Sequence, residues 1–143
     1  MSAAARVAVI DAARDWIGTP FHDMARVKGV GCDCAQLVAA AFQEAGVLPY
    51  IETGAYAPQF MLHSRDEKLV EFILRYGREI DEATVGMADV VVYRVGRSYS
   101  HAAIVVDWPG AILHAHKLSG QVVEMDGRTA DLAGRATRFF SVF

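Results

Sequence analysis

From Gly31 the chain reads Gly31-Cys32-Asp33-Cys34-Ala35-Gln36-Leu37-Val38-Ala39-Ala40-Ala41-Phe42-Gln43-Glu44-Ala45-Gly46. Cys34, Leu37, Val38, Ala41, Phe42 and Ala45 recur at the spacing of one helix face. Gly46 supplies a stop and Pro49 follows it. The spacing therefore predicts a helix that a cysteine opens. A thiol attacks as the thiolate, and the unpaired N–H groups and dipole of a helix start favour an anion. The Cys34 N–H lies in that first turn, free to donate to an oxyanion. Glycines ahead of it let the backbone come close to a bound molecule.

Upstream, about Ala4 to Ile17 reads as a first helix, stopped by Gly18-Thr19-Pro20. Downstream, Ser64 with Glu67 forms a capping box, and Leu69, Phe72, Ile73 and Tyr76 line one face up to Gly77. The segment Tyr50 to His63 is irregular and is expected to loop over a site. Beyond it the period changes. Val90 to Val95, Ala102 to Val106, Ile112 to Ala115, Val122 to Met125 and Arg138 to Val142 read as short strands separated by Gly- and Pro-containing turns. Helices first and an antiparallel sheet of about five strands second make an α+β fold. The 143 residues fit one domain, 1–143.

Composition narrows the function. The formal charge is −3 with both signs interspersed, so no basic stripe argues for nucleic acid. No apolar run is long enough for a membrane span. Met1 to Ile10 lacks the pattern of a secretory signal, so synthesis in the cytoplasm is expected, with another carrier if the target lies outside. Cys32 and Cys34 are too close in sequence to bridge without strain.

Five histidines are candidate bases: His22, His63, His101, His114 and His116. His101 starts the strand His-Ala-Ala-Ile-Val-Val, with Ala103 and Val105 on its face. A third polar group normally orients such a base, and His114 in the next strand is placed to do so. A competing constellation exists. Cys32-x-Cys34 and His114-x-His116 supply four zinc-type ligands, although Cys-x-Cys is tighter than the usual zinc spacing. Cys32 reads as a packed thiol of the entry loop.

Asp33-Cys34-Ala35-Gln36-Leu37-Val38 resembles the Asp-Cys-Ser-Gly-Leu-Val signature of the NlpC family of bacterial cell-wall cysteine peptidases. Trp16 to Phe21 resembles the segment that precedes that signature. Gly86 to Val91 is similar to the family's turn into the sheet, His101 to Val105 to its His-Val-Gly-Ile strand, and Ile112 to Ala115 to its Ile-His-Ala strand. The five matches run in the family's order. The Gly-Cys-Asp-Cys entry is most similar to the short phage-tail and gene-transfer-agent members.

The resemblance implies a papain-like fold, with Cys34 as nucleophile, His101 as base and His114 as orienting residue. It implies hydrolysis of peptidoglycan stem peptides between D-glutamate and a diamino acid, without cofactor or metal. In phage relatives the enzyme rides with tail proteins, which would serve a wall enzyme lacking a signal. Phe21 stands where the family often has tyrosine, so oxyanion stabilisation is expected from the backbone or from His22. Gln36 replaces a glycine and is expected to narrow the cleft or to face solvent. Asp33 is expected to cap the helix or to bind a substrate amine.

Overall fold

The computed structural model describes residues 3–53 and 68–143. Helix α1 (Ala3–Arg14) leads to a small hairpin, β1 (Arg26–Val27) with β2 (Gly31–Cys32), and then to α2 (Cys34–Glu44) and α3 (Lys68–Leu74). Strands β3 (Arg78–Ile80), β4 (Val90–Val95), β5 (Ser98–Asp107), β6 (Ala111–His116), β7 (Gln121–Met125) and β8 (Thr137–Ser141) follow. They form one antiparallel sheet in the order β3-β8-β4-β5-β6-β7. The expected α+β architecture holds, but the sheet has six strands. The extra one, β3, is three residues long and pairs with β8 at the sheet edge. Two of its residues, Arg78 and Glu79, are exposed and charged, so it carries no alternating apolar signal.

The helices cover one face of the sheet. Val9, Ile10 and Ala13 of α1, Ala35, Ala41 and Phe42 of α2, and Leu69, Val70 and Ile73 of α3 pack with Val90, Val92, Ala102, Ile104, Leu113 and Phe140. Burying the Val, Ile, Leu and Phe side chains among these supplies about 1.5–3 kcal/mol each, so this layer contributes strongly to cohesion. The alternate residues, Val91, Tyr93, Ala103, Val105, Ile112 and Phe139, form a second core on the other face, closed by Leu132 of the short 3-10 turn Ala130–Leu132. Period-two alternation thus commits β4 and β5 to two cores at once.

Two boundaries shift from expectation. Helix α1 stops at Arg14. Strand β5 begins at Ser98, so His101 sits inside the strand, opposite a register irregularity between Tyr93 and Arg94. Ser64, Glu67 and the expected loop over the site lie outside the described residues, apart from Tyr50 to Thr53. No helix among the described residues is long and apolar enough to cross a membrane.

Candidate active site

The segment before α2 is built by hydrogen bonds around one carboxylate. Asp33 is 5% exposed. Its Oδ1 accepts from the Gln36 N–H at 3.0 Å, capping α2, and its Oδ2 accepts from the Met24 N–H at 2.8 Å. Met24 has φ 65°, a left-handed conformation that costs a non-glycine residue about 1–2 kcal/mol. One carboxylate therefore ties a strained loop to the helix start. Gly31 makes room for that loop, since a Cβ there would lie 2.8 Å from His22 Cβ. The glycine thus serves close packing of the loop.

Cys34 is the first residue of α2 and is partly exposed. Its Sγ lies 3.8 Å from the Ser100 carbonyl, one residue before His101 in β5. Cys34 and His101 line one cavity of about 230 Å³, together with Phe21, Asp23, Asp33, Ser100 and others. His101 Nε2 is 2.7 Å from His114 Nδ1, the two rings meeting edge to face at 72°. With Nε2 so engaged, Nδ1 is the His101 ring nitrogen that remains for another partner.

His114 is fully buried, and its Nε2 has no hydrogen-bond partner among the described residues. Its ring stacks on His116 at 4.7 Å. Both nitrogens of His116 are held, Nδ1 by Ser119 Oγ at 2.6 Å and Nε2 by Asp131 Oδ1 at 2.7 Å. The three histidines share the sheet face of Ala103 and Ile112, while α2 packs on the other face and reaches the cavity only with its first turn. The row His101, His114, Tyr93 continues with the Tyr93 ring 6.0 Å from His101, its hydroxyl donating to the Gly127 carbonyl at 2.7 Å.

The electrostatics correct one expectation. Burial first, and the Asp33 charge second, push the Cys34 thiol up to about 12, although the amides of Ala102, Ala35 and Cys34 pull it down. Burial, with the charges of His116 and Arg135, pushes His101 down to about 4 against the opposing pull of Asp131. His114 is pushed down as well, by burial and then by its two histidine neighbours. The helix start does not outweigh desolvation. Both shifts favour the neutral thiol and the neutral imidazole in the resting fold.

The other predicted residues divide. Phe21 and Asp33 line the cavity, Asp33 with both oxygens engaged. Gln36 is buried, accepting from Arg26 Nε at 2.7 Å and donating to Thr53 Oγ1 at 2.7 Å, so it neither narrows the cleft nor meets solvent. His22 is exposed, with Nδ1 turned to the Asp23 carbonyl, and is not among the cavity's lining residues. Cys32 is fully buried, packed with Trp16 and Leu37, its thiol pushed up to about 12 by burial. Cys32, Cys34, His114 and His116 do not converge as ligands, and no group of three metal-ligating side chains occurs among the described residues. Asp23, Lys117, Asp131 and Arg135 also line the cavity. They lie in turns without a recognisable motif, so only the fold brings them together.

A helix-start thiol and a strand-borne histidine on one cavity, with an antiparallel sheet backed by helices, define a papain-like α+β architecture. Within that class the fold is that of NlpC/P60 domains, as solved structures show. RipB of Mycobacterium tuberculosis, described as a peptidoglycan hydrolase, superposes with a TM-score of 0.65 at 22% identity, over 96% of this chain and 64% of RipB. The NlpC/p60 domain of the peptidoglycan hydrolase SagA gives 0.65 at 16% identity, over 93% of this chain and 96% of that domain. RipD of M. tuberculosis, described as a non-catalytic NlpC/p60 protein adapted to peptidoglycan binding, gives 0.61 at 18% identity, over 97% and 98%. The chain thus spans less than two thirds of RipB. No protein-family model matches the chain, and no curated protein matches it in sequence.

Proposed function

We propose that the chain is a cysteine peptidase that hydrolyses amide bonds in peptidoglycan stem peptides, of the D-glutamyl–diamino acid type. The observation that carries this reading is the His101 Nε2 to His114 Nδ1 contact of 2.7 Å, which leaves Nδ1 for a thiol in the same cavity.

The chemistry follows from the neutral pair. As Sγ attacks the amide carbonyl, its proton moves to His101 Nδ1, so thiolate and imidazolium form together with the new bond rather than beforehand. The charge on His101 is stabilised through Nε2–H donating to His114 Nδ1. The N–H groups of Cys34 and Ala35 precede the first intrahelical bond, from Leu37 N–H to the Asp33 carbonyl, and serve the oxyanion. Phe21 adds no hydroxyl donor there. His101 then returns the proton to the leaving amine, and a water that His101 deprotonates releases the acyl group from Sγ.

Mass spectrometry of purified stem peptides after incubation tests the reading. Cleavage by the wild type, absent in Cys34→Ala, supports it; intact peptides with the wild type reject it. The sequence likeness to phage-tail members supports delivery by a tail-like particle, with tail proteins as partners.

A second reading is favoured by the thiol held up at about 12 and by the likeness to RipD: a peptidoglycan-binding domain without turnover. Binding of stem peptides at equal affinity by wild type and Cys34→Ala, with no product from either, would select it. The neutral dyad also suits an amidase or acyltransferase, which product analysis on small amides and lipids distinguishes.

A further inference from the structure

Behind the His101–His114 pair stands a second hydrogen-bonded chain that the catalytic steps do not use. His116 is 4% exposed, yet both its nitrogens are held by exposed residues, Nε2 by Asp131 Oδ1 at 2.7 Å and Nδ1 by Ser119 Oγ at 2.6 Å. An ionised carboxylate only accepts, so Nε2 carries a proton that points at Asp131. Asp131 is itself anchored. Leu132, the next residue, is buried in the second core, and Arg135 Nε donates to the Asp131 carbonyl at 2.5 Å. A ring held at both nitrogens in this way has a fixed plane.

His114 lies against that plane, its ring centre 4.7 Å away and 29° from parallel. An imidazole turns about a broad, roughly two-fold torsion. The contact with His101 Nε2 is the one hydrogen bond that the described residues give the His114 ring, because its Nε2 has no partner among them. That bond selects between the two half-turn positions of the ring but leaves its tilt soft. The stack on His116 sets the tilt.

We infer that Asp131 and His116 are positioning residues of the site: Asp131 fixes the His116 ring, and the face of that ring fixes the plane in which His114 Nδ1 meets His101 Nε2. The inference rests on the peptidase reading and extends the set Cys34, His101 and His114 by two residues that act through His114. The Asp131 charge also favours a proton on His101, against burial and the charges of His116 and Arg135. An asparagine at this position would accept the same hydrogen bond without the charge, and so would reproduce part of the effect.

The test measures steady-state cleavage of stem peptides by single and double variants. Asp131→Ala, at an exposed position, should lower kcat about tenfold, the worth of one hydrogen bond to a charged group, with KM near wild type. Asp131→Asn should restore part of that kcat. In a His114→Leu background Asp131→Ala should add less than about twofold, because the residue through which it acts is gone. Side-chain proton–nitrogen correlation spectra of Cys34→Ala, which need no turnover, should show His114 protonated on Nε2 alone. Adding Asp131→Ala should give a mixture of the two His114 tautomers. An unchanged kcat in Asp131→Ala, an effect confined to KM, full additivity with His114→Leu, or unaltered His114 tautomers each overturns the inference, while wild-type cleavage keeps the peptidase reading. If the wild type leaves every stem peptide intact, the peptidase reading falls, and the spectra alone decide whether Asp131 orders the histidines.

Discussion

Cys34 and His101 reach the same cavity by opposite routes. The thiol arrives at the end of a short, irregular loop that contains a left-handed Met24 and is tied down by the buried carboxylate of Asp33. The imidazole arrives inside a ten-residue strand, flanked by β4 and β6, where register alone decides which way it points. A loop places a group through a few specific hydrogen bonds, each of which can be cut. A central strand places it through pairing on both sides, which resists single changes. Apart from loss of the thiol itself, damage to the site should therefore be local and chemical on the sheet side, and structural on the loop side.

The largest effect expected is on chemistry. Cys34→Ala should abolish turnover while circular dichroism and melting temperature stay near wild type, because a half-buried first-turn residue is lost without disturbing the cap. Next, His101→Ala should reduce kcat by about 10²–10⁴-fold, the usual range for a positioned acid–base group. His114→Leu should cost less, about 10–100-fold, the value of one charge-assisted hydrogen bond, and His114→Gln should recover part of it by offering Nδ1's acceptor role to Nε2–H of His101. A His114 variant as damaging as His101→Ala would mean that the sheet fixes His101 less firmly than the register implies.

On the loop side, Asp33→Ala removes the α2 cap and the Met24 N–H acceptor together. It should destabilise the fold by about 2 kcal/mol in urea unfolding and lower activity through loop disorder. Asp33→Asn should keep part of the stability, since an amide oxygen still caps. If Asp33→Ala proved neutral in stability, the contrast between the two routes would fall.

The smallest effect expected is on pH dependence. His101 in the fold binds its proton only near pH 4, whereas the unfolded chain binds it near 6.5. Between those values the unfolded state holds more protons, so stability rises with pH through that window and declines as pH falls from 6.5 towards 4. His114 adds in the same direction. Denaturation at pH 7 and pH 4.5 should show this loss, and the double variant His101→Gln, His114→Gln should show less of it. Alkylation of Cys34 at neutral pH should be slow, in keeping with a thiol pushed up to about 12.

Much of this was legible in the residues. The 3.6 period from Cys34 to Ala45 marks α2, because one face of it is buried, and short apolar runs bounded by Gly- and Pro-containing turns mark β4 to β8. The pairing of His101 with His114 was legible as neighbouring strands. What escaped was whatever depends on long-range packing. Burial of Cys34 against β5 reverses the effect of the helix start on its acidity. Gln36 is drawn inward by Arg26 and Thr53, contacts that no local pattern encodes. Strand β3 hides because an exposed edge needs no apolar alternation. Arg135 and Lys117 join the cavity from separate turns, and nothing in their neighbours announces it.

The buried Nε2 of His114 has a last implication. In the proposed mechanism, a proton passed along the histidine pair would find no acceptor beyond it among the described residues, so the relay would be a cul-de-sac. Positive charge raised on His101 would return through Nδ1 to the cavity. The departing amine would then receive the proton that Cys34 surrenders, which would couple bond cleavage to recharging of the base.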